Sequence, residues 1–219
     1  MTLIDASRHR GIPVAFYLPH SGIERKTIPV IFSHGYGENK GGDYLAYSYL
    51  ATNLAKHGYV VVSIQHEIVT DSLIPATGIP QIVRRSNWER GVRNIGFVLE
   101  EMRIRYPNLN YKQLVLIGHS NGGDMAMLFG QLHPEKAAKI ISLDNRRVAL
   151  PRSSHPQIFS LRSNDQLADE GVLPSLREQH TFGITIVKLP NTGHNEMDDH
   201  APPEKQIEIN NYLLEFLRN

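Results

Sequence analysis

Leu114-Val115-Leu116-Ile117-Gly118-His119-Ser120-Asn121-Gly122-Gly123 carries an apolar run into a Gly-x-Ser-x-Gly turn. A helix-favouring segment leaves the turn through Met125, Ala126, Met127, Leu128 and Phe129. This is the strand–turn–helix context in which a serine becomes a nucleophile elbow. The turn is so sharp that residues two before and two after the serine crowd each other, so Gly118 and Gly122 supply room that a Cβ would fill. Ser120 is therefore expected at the carboxyl edge of a sheet, in a strained backbone conformation, with its hydroxyl exposed. Five residues are too few to decide this alone, and the rest of the chain has to supply the partners.

The chain has 219 residues, enough for one domain over 1–219 with a sizeable core. A hydrophobic fraction of 41% beside 21% charged residues is that of an ordinary globular protein, and the sequence carries no internal repeat or low-complexity tract. The formal net charge of +1 gives no electrostatic reason for nucleic acid or an anionic membrane as partner. The Arg84-Arg85 and Arg146-Arg147 pairs read as surface charges or local substrate contacts. Cysteine is absent, which removes disulfides, thiolate zinc sites and a cysteine nucleophile. No apolar run approaches the ~18 residues a spanning helix needs. The opening Met1-Thr2-Leu3-Ile4-Asp5 lacks a basic stretch and an apolar core, so no signal peptide and a cytoplasmic location are expected.

Along the chain, Thr2–Asp5 and Ile12–Leu18 read as strands, and Ile28–Ser33 as a buried strand ending in His34-Gly35-Tyr36-Gly37. Asp43 is expected to cap a helix over Tyr44–Lys56 that Gly58 ends, and Tyr59–Ile64 is a further buried strand. The segment from Gln65 to Arg85 has no periodicity and carries Pro75, Gly78 and Pro80. Its length marks it as a lid or active-site loop. Ser86 and Glu89 match a capping box for a helix running to about Arg105, with Trp88 on its core face. After the elbow helix, Lys139–Leu143, Pro156–Leu161 and Ile184–Leu189 read as strands, and Pro203–Leu217 as a terminal helix. Strands alternating with helices argue for a mostly parallel sheet of about seven or eight strands, covered by helices on both faces.

A serine hydroxyl needs a base, an orienter for that base and an oxyanion hole. Of the eleven histidines, His194 sits in Asn191-Thr192-Gly193-His194-Asn195, a turn after the last strand, where it can face Ser120. For the acid, Asp165 fits best, following the strand that ends at Leu161. Asp144 is its rival, directly following Ile140-Ile141-Ser142-Leu143. The N–H of Asn121 is the first expected oxyanion donor, at a helix N-terminus whose dipole favours negative charge. The second is the N–H of Tyr36, between Gly35 and Gly37. His194-Asn195-Glu196-Met197-Asp198-Asp199-His200 gathers metal-ligand types, but lacks the His-Glu-x-x-His spacing, so neither a metal nor an organic cofactor is expected.

With these residues in place, the chain resembles the α/β-hydrolase superfamily over nearly its full length. His34-Gly35-Tyr36-Gly37, the elbow, then Asp and His in that order carry the resemblance. The stretch from Phe32 to Ile64, with His57-Gly58-Tyr59-Val60-Val61-Val62, is most similar to the branch of dienelactone hydrolases, platelet-activating-factor acetylhydrolases and chlorophyllases. That resemblance implies an α/β-hydrolase fold and a serine hydrolase acting on a small-molecule carboxylic ester. Dienelactone hydrolases use a cysteine where this chain has Ser120, so that activity is not implied. Too little chain separates Leu143 from Pro156 for a helical cap, so an open cleft is expected. The same triad also serves peptidases, amidases and acyltransferases, and the fold also hosts non-catalytic ligand-binding modules. Oligomeric state is not legible.

Overall fold

The computed structural model describes residues 1–219. Eight strands form one sheet in the order β1-β2-β4-β3-β5-β6-β7-β8. They are β1 Thr2–Asp5, β2 Arg10–Tyr17, β3 Pro29–Ser33, β4 Val60–Ile64, β5 Val115–His119, β6 Lys139–Leu143, β7 Gln157–Arg162 and β8 Thr185–Lys188. The β1–β2 and β2–β4 pairs are antiparallel and every other pair is parallel. The helices are α1 Ser48–Lys56, α2 Pro80–Val83, α3 Arg85–Arg105, α4 Ser120–Leu132, α5 Leu176–Phe182 and α6 Pro203–Arg218. This is the α/β-hydrolase fold without a cap domain.

The central strands are buried on both faces, which is why β3, β4 and β5 read as continuous apolar runs. Side chains still alternate across the sheet. Ile31 and Leu116 join Ile95 and Leu99 of α3 and Met125 and Phe129 of α4 on one face. Val30, Phe32 and Ile117 join Leu50 and Leu54 of α1 and Leu213 and Phe216 of α6 on the other. No helix is long and apolar enough to cross a membrane.

Parallel register aligns the strand ends. Ser33, Gly118, Ser142 and Ser160 lie in one row across β3, β5, β6 and β7. Ser120 and Asp144 each follow that row by two residues on neighbouring strands, so the chain leaves the sheet at both points along the same edge.

Two local expectations are corrected. Asp43 lies inside a short 3-10 turn, Asp43–Leu45, and α1 begins later, at Ser48. Its first amides are capped from far along the chain, because Asp199 accepts from Ser48 N (3.0 Å), Ser48 Oγ (2.8 Å) and Tyr49 N (3.0 Å). The Ser86–Glu89 capping box does not form either. The turn α2 feeds into α3 through Arg84, which places Ser86 inside the helix, and Glu89 pairs with Arg85 one turn back at 2.8 Å.

Candidate active site

Ser120 opens α4 with φ of 49°, the left-handed region that a side chain adopts only when its surroundings impose it. A Cβ on Gly118 would overlap the Gly122 carbonyl, and one on Gly122 would overlap the Ser33 and His34 carbonyls. Both glycines of the pentapeptide are thus required by close backbone approach.

The Ser120 hydroxyl donates to His194 Nε2 at 2.9 Å. On the far side of the ring, His194 Nδ1–H donates to Asp144 Oδ2 at 2.6 Å. The Asp144 carboxylate is fully buried. It also accepts from Ser163 N at 3.0 Å and Ser163 Oγ at 2.7 Å, and pairs with the Arg162 guanidinium at 2.9 Å. Burial pushes its pKa up, but the His194 ring, Arg162 and Ser163 outweigh that and leave it below the usual carboxylate value.

The expected acid, Asp165, is therefore corrected: the carboxylate at the His194 ring is that of Asp144. The reason is register. Asp144 leaves β6 level with Ser120 leaving β5, whereas Asp165 lies three residues past the end of β7, exposed at the surface. Asp165 serves the same histidine through its backbone, accepting from His194 N at 2.8 Å.

A second histidine, absent from the sequence expectations, supports the first. His119 is buried beside His194, with ring centroids 4.8 Å apart. Its Nε2–H donates to the His194 carbonyl at 3.0 Å, and its Nδ1 accepts from Tyr47 OH at 2.7 Å. Tyr47 OH in turn accepts from Gly35 N at 3.1 Å. Burial first, and the neighbouring His194 second, pull the His119 pKa down to about 3, so it stays neutral and keeps this tautomer. The only sequence signal was its place inside the pentapeptide.

The cleft above Ser120 has a volume of about 320 Å³ and is mostly polar, with Tyr36, Asp43, Tyr47, Asn195 and Asp198 around the serine. Tyr36 N–H donates to nothing within the protein. Asn121 lies in the first turn of α4, where helix geometry supplies no acceptor for its N–H. No residue of 65–85 lines this cleft. That segment instead borders an adjacent groove of about 510 Å³ through Leu73, Ile74, Ala76 and Arg84, and it touches residues of the cleft from behind: Ile74 N donates to the Tyr36 hydroxyl at 3.1 Å and Gln65 Nε2 donates to Asp43 Oδ2 at 2.8 Å. A larger hollow, about 740 Å³, opens at the opposite edge of the sheet around Lys139 and Gln157, remote from Ser120.

A mostly parallel eight-stranded sheet, a strained serine at a strand-to-helix elbow and a histidine bonded to it define an α/β serine hydrolase. The family profile described as serine aminopeptidase, S33, matches residues 25–143, more than half of the chain, and the chain belongs to that family. Among solved structures it is similar to XC6422 from Xanthomonas campestris, an α/β serine hydrolase without a lid. The identity is 18%, covering 100% of this chain and 92% of that one, with a TM-score of 0.63. An esterase from Rhizomucor miehei is 16% identical, covering 100% of this chain and 80% of that one, at a TM-score of 0.71. Est1E from Butyrivibrio proteoclasticus is 12% identical, covering 100% and 99%, at 0.65. At these identities the likeness is one of fold. No curated protein sequence matches the chain.

Proposed function

We propose that the protein hydrolyses small carboxylic esters through an acyl-enzyme on Ser120. The observation that carries this reading is the unbroken line from Ser120 Oγ to His194 Nε2 (2.9 Å) and from His194 Nδ1 to Asp144 Oδ2 (2.6 Å). As the serine oxygen attacks the ester carbonyl, its proton passes to His194 Nε2. Asp144 holds the imidazole in the required tautomer and stabilises the imidazolium that forms. The N–H groups of Asn121 and Tyr36 receive the oxyanion, the first aided by the positive end of α4. His194 then hands its proton to the departing alkoxide. Water, deprotonated by the same ring, releases the acid.

A volume of about 320 Å³ with polar walls suits a short acyl chain. The parent protein is expected to hydrolyse p-nitrophenyl acetate and butyrate faster than the octanoate. Ser120→Ala should lose at least about a thousandfold in kcat. Equal turnover by parent and variant would remove Ser120 from the mechanism.

One observation favours a second reading, hydrolysis of a substrate with a free amine. Asp43 and Asp198 both line the cleft and could hold an ammonium group, in keeping with the aminopeptidase description of the family. Aminoacyl-p-nitroanilides assayed beside the esters separate the two: faster release from the anilides would favour the amine-directed reading.

A further inference from the structure

The segment after β4 turns inward before it surfaces. Gln65, His66 and Glu67 are each 1% exposed, so its first residues form a floor beneath the elbow. Glu67 is a buried carboxyl group with no part in the proton transfers above. Its Oε1 accepts from Asn121 Nδ2 at 2.9 Å and from Asn87 Nδ2 at 3.1 Å. Asn121 Nδ2 also donates to Asn87 Oδ1 at 3.1 Å, and Asn121 Oδ1 accepts from Trp88 Nε1 at 2.9 Å. The whole amide of the residue that follows the nucleophile is thus held from Glu67 and α3.

The other carboxyl oxygen, Oε2, accepts no hydrogen bond and lies 3.8 Å from His34 Nε2. His34 Nε2 accepts from His66 N at 2.9 Å, which leaves Nδ1–H to donate to the Gly35 carbonyl at 2.5 Å. That carbonyl belongs to the peptide unit whose N–H is that of Tyr36. A trans peptide is planar, with C=O and N–H opposed, so pinning Gly35 O fixes the direction of Tyr36 N–H. Glu67 therefore stands between the two elements that carry the oxyanion donors.

We propose that Glu67 is a positioning residue for the oxyanion hole, locking Asn121 on one side and bounding His34 on the other. The inference rests on Ser120 as the acyl-accepting nucleophile. The physical need is specific. An asparagine in a first helical turn competes, through its own side chain, for nearby backbone groups. Tying both ends of its amide to Glu67, Asn87 and Trp88 removes that competitor. Donors to an oxyanion act at full strength only when held within about half an ångström of the productive place. Burying a carboxyl group carries a desolvation cost, which this role accounts for.

The test compares Glu67→Gln, Glu67→Leu, Asn121→Ala and the Glu67→Leu/Asn121→Ala double variant. Readouts are kcat and KM on p-nitrophenyl acetate, the affinity for phenylboronic acid, which forms a tetrahedral adduct on the serine, and amide NMR. Glu67→Gln keeps an acceptor oxygen and is expected within about threefold of the parent in kcat. Glu67→Leu is expected to lose about ten- to a hundredfold in kcat with KM changed less than about twofold. Boronate affinity should fall by the same factor, with the Tyr36 and Asn121 amide resonances displaced. The double variant should lose less than the product of the two single losses, because both substitutions remove the Glu67–Asn121 contact. A folded Glu67→Leu with parental kcat and boronate affinity, or with unmoved amide resonances, overturns the inference, as do multiplicative losses in the double variant. Should Glu67→Leu fail to fold, parental kcat in folded Asn121→Ala overturns it instead. A parent protein without esterase activity removes the Ser120 reading, while the amide resonances still report on Glu67.

Discussion

Two aspartates serve one histidine, and their division of labour separates a charge that steadies the ring from one that steadies the backbone. Asp144 meets His194 Nδ1 at 2.6 Å from full burial, whereas Asp165 accepts the His194 amide at 2.8 Å from the surface. Asp144→Asn is therefore expected to lower kcat by about three to four orders of magnitude, since an amide there favours the wrong imidazole tautomer. Asp165→Asn should cost about tenfold or less, through a loosened turn. Steady-state kinetics of the two variants decide between them, and the reverse order would return the acid role to Asp165. Chain order made both candidates legible, because each follows a strand and precedes His194. Sequence could not choose, because the choice depends on which strand end lies level with Ser120. That is a matter of register across β5 and β6, and of Asp144 adopting a φ of 56° as the chain leaves β6.

Elements were legible where burial imposed a pattern and less so where their ends depend on distant residues. The strands β3, β4 and β6 and the terminal helix follow from apolar runs and glycine or proline stops, and each appears within a residue or two of its expected bounds. Helix starts were harder. The Ser86–Glu89 signature is overridden by the turn that precedes it. The capping box that does form, Ser175 with Glu178, opens α5, a helix of 7 residues with none buried, which offers no apolar period to read. The start of α1 is fixed by Asp199, about 150 residues away, and no local pattern could announce it. Asp199→Ala removes three hydrogen bonds and the charge facing the positive end of α1. It should destabilise the protein by about 1–2 kcal/mol. Ser86→Ala should change stability by less than about 0.5 kcal/mol. Urea denaturation measures both; equal midpoints for Asp199→Ala and the parent would refute the distant cap.

At the scale of the whole molecule, the site holds together because the loop that carries Asp144 is anchored to the helix that carries Ser120. Asp124, on α4 and buried, accepts from Arg147 N at 2.9 Å, Val148 N at 2.8 Å and Asn145 Nδ2 at 3.2 Å, all through Oδ1. Burial pushes its pKa up from 3.8 to about 6, and the three donors offset only part of that. A folded-state pKa above the unfolded one means that the native protein holds this proton more tightly. Stability from the group is then greatest at low pH, declines as pH rises from 3.8 to about 6, and is level above that. A rise of about two units corresponds to about 3 kcal/mol in order of magnitude. Asp124→Asn keeps an acceptor oxygen for the two backbone amides and has no charge to bury. Asp144 has the opposite linkage, its stability present above the ordinary value of 3.8 and lost as pH falls through its lowered one, but it is common to both proteins and cancels in the comparison. Asp124→Asn should therefore gain stability relative to the parent as pH is raised from 4 to 7. Thermal melts across that range read the difference. A gap that stays constant, or narrows towards neutral pH, would show that Asp124 is ionised in the native fold at low pH and that its three donors outweigh its burial.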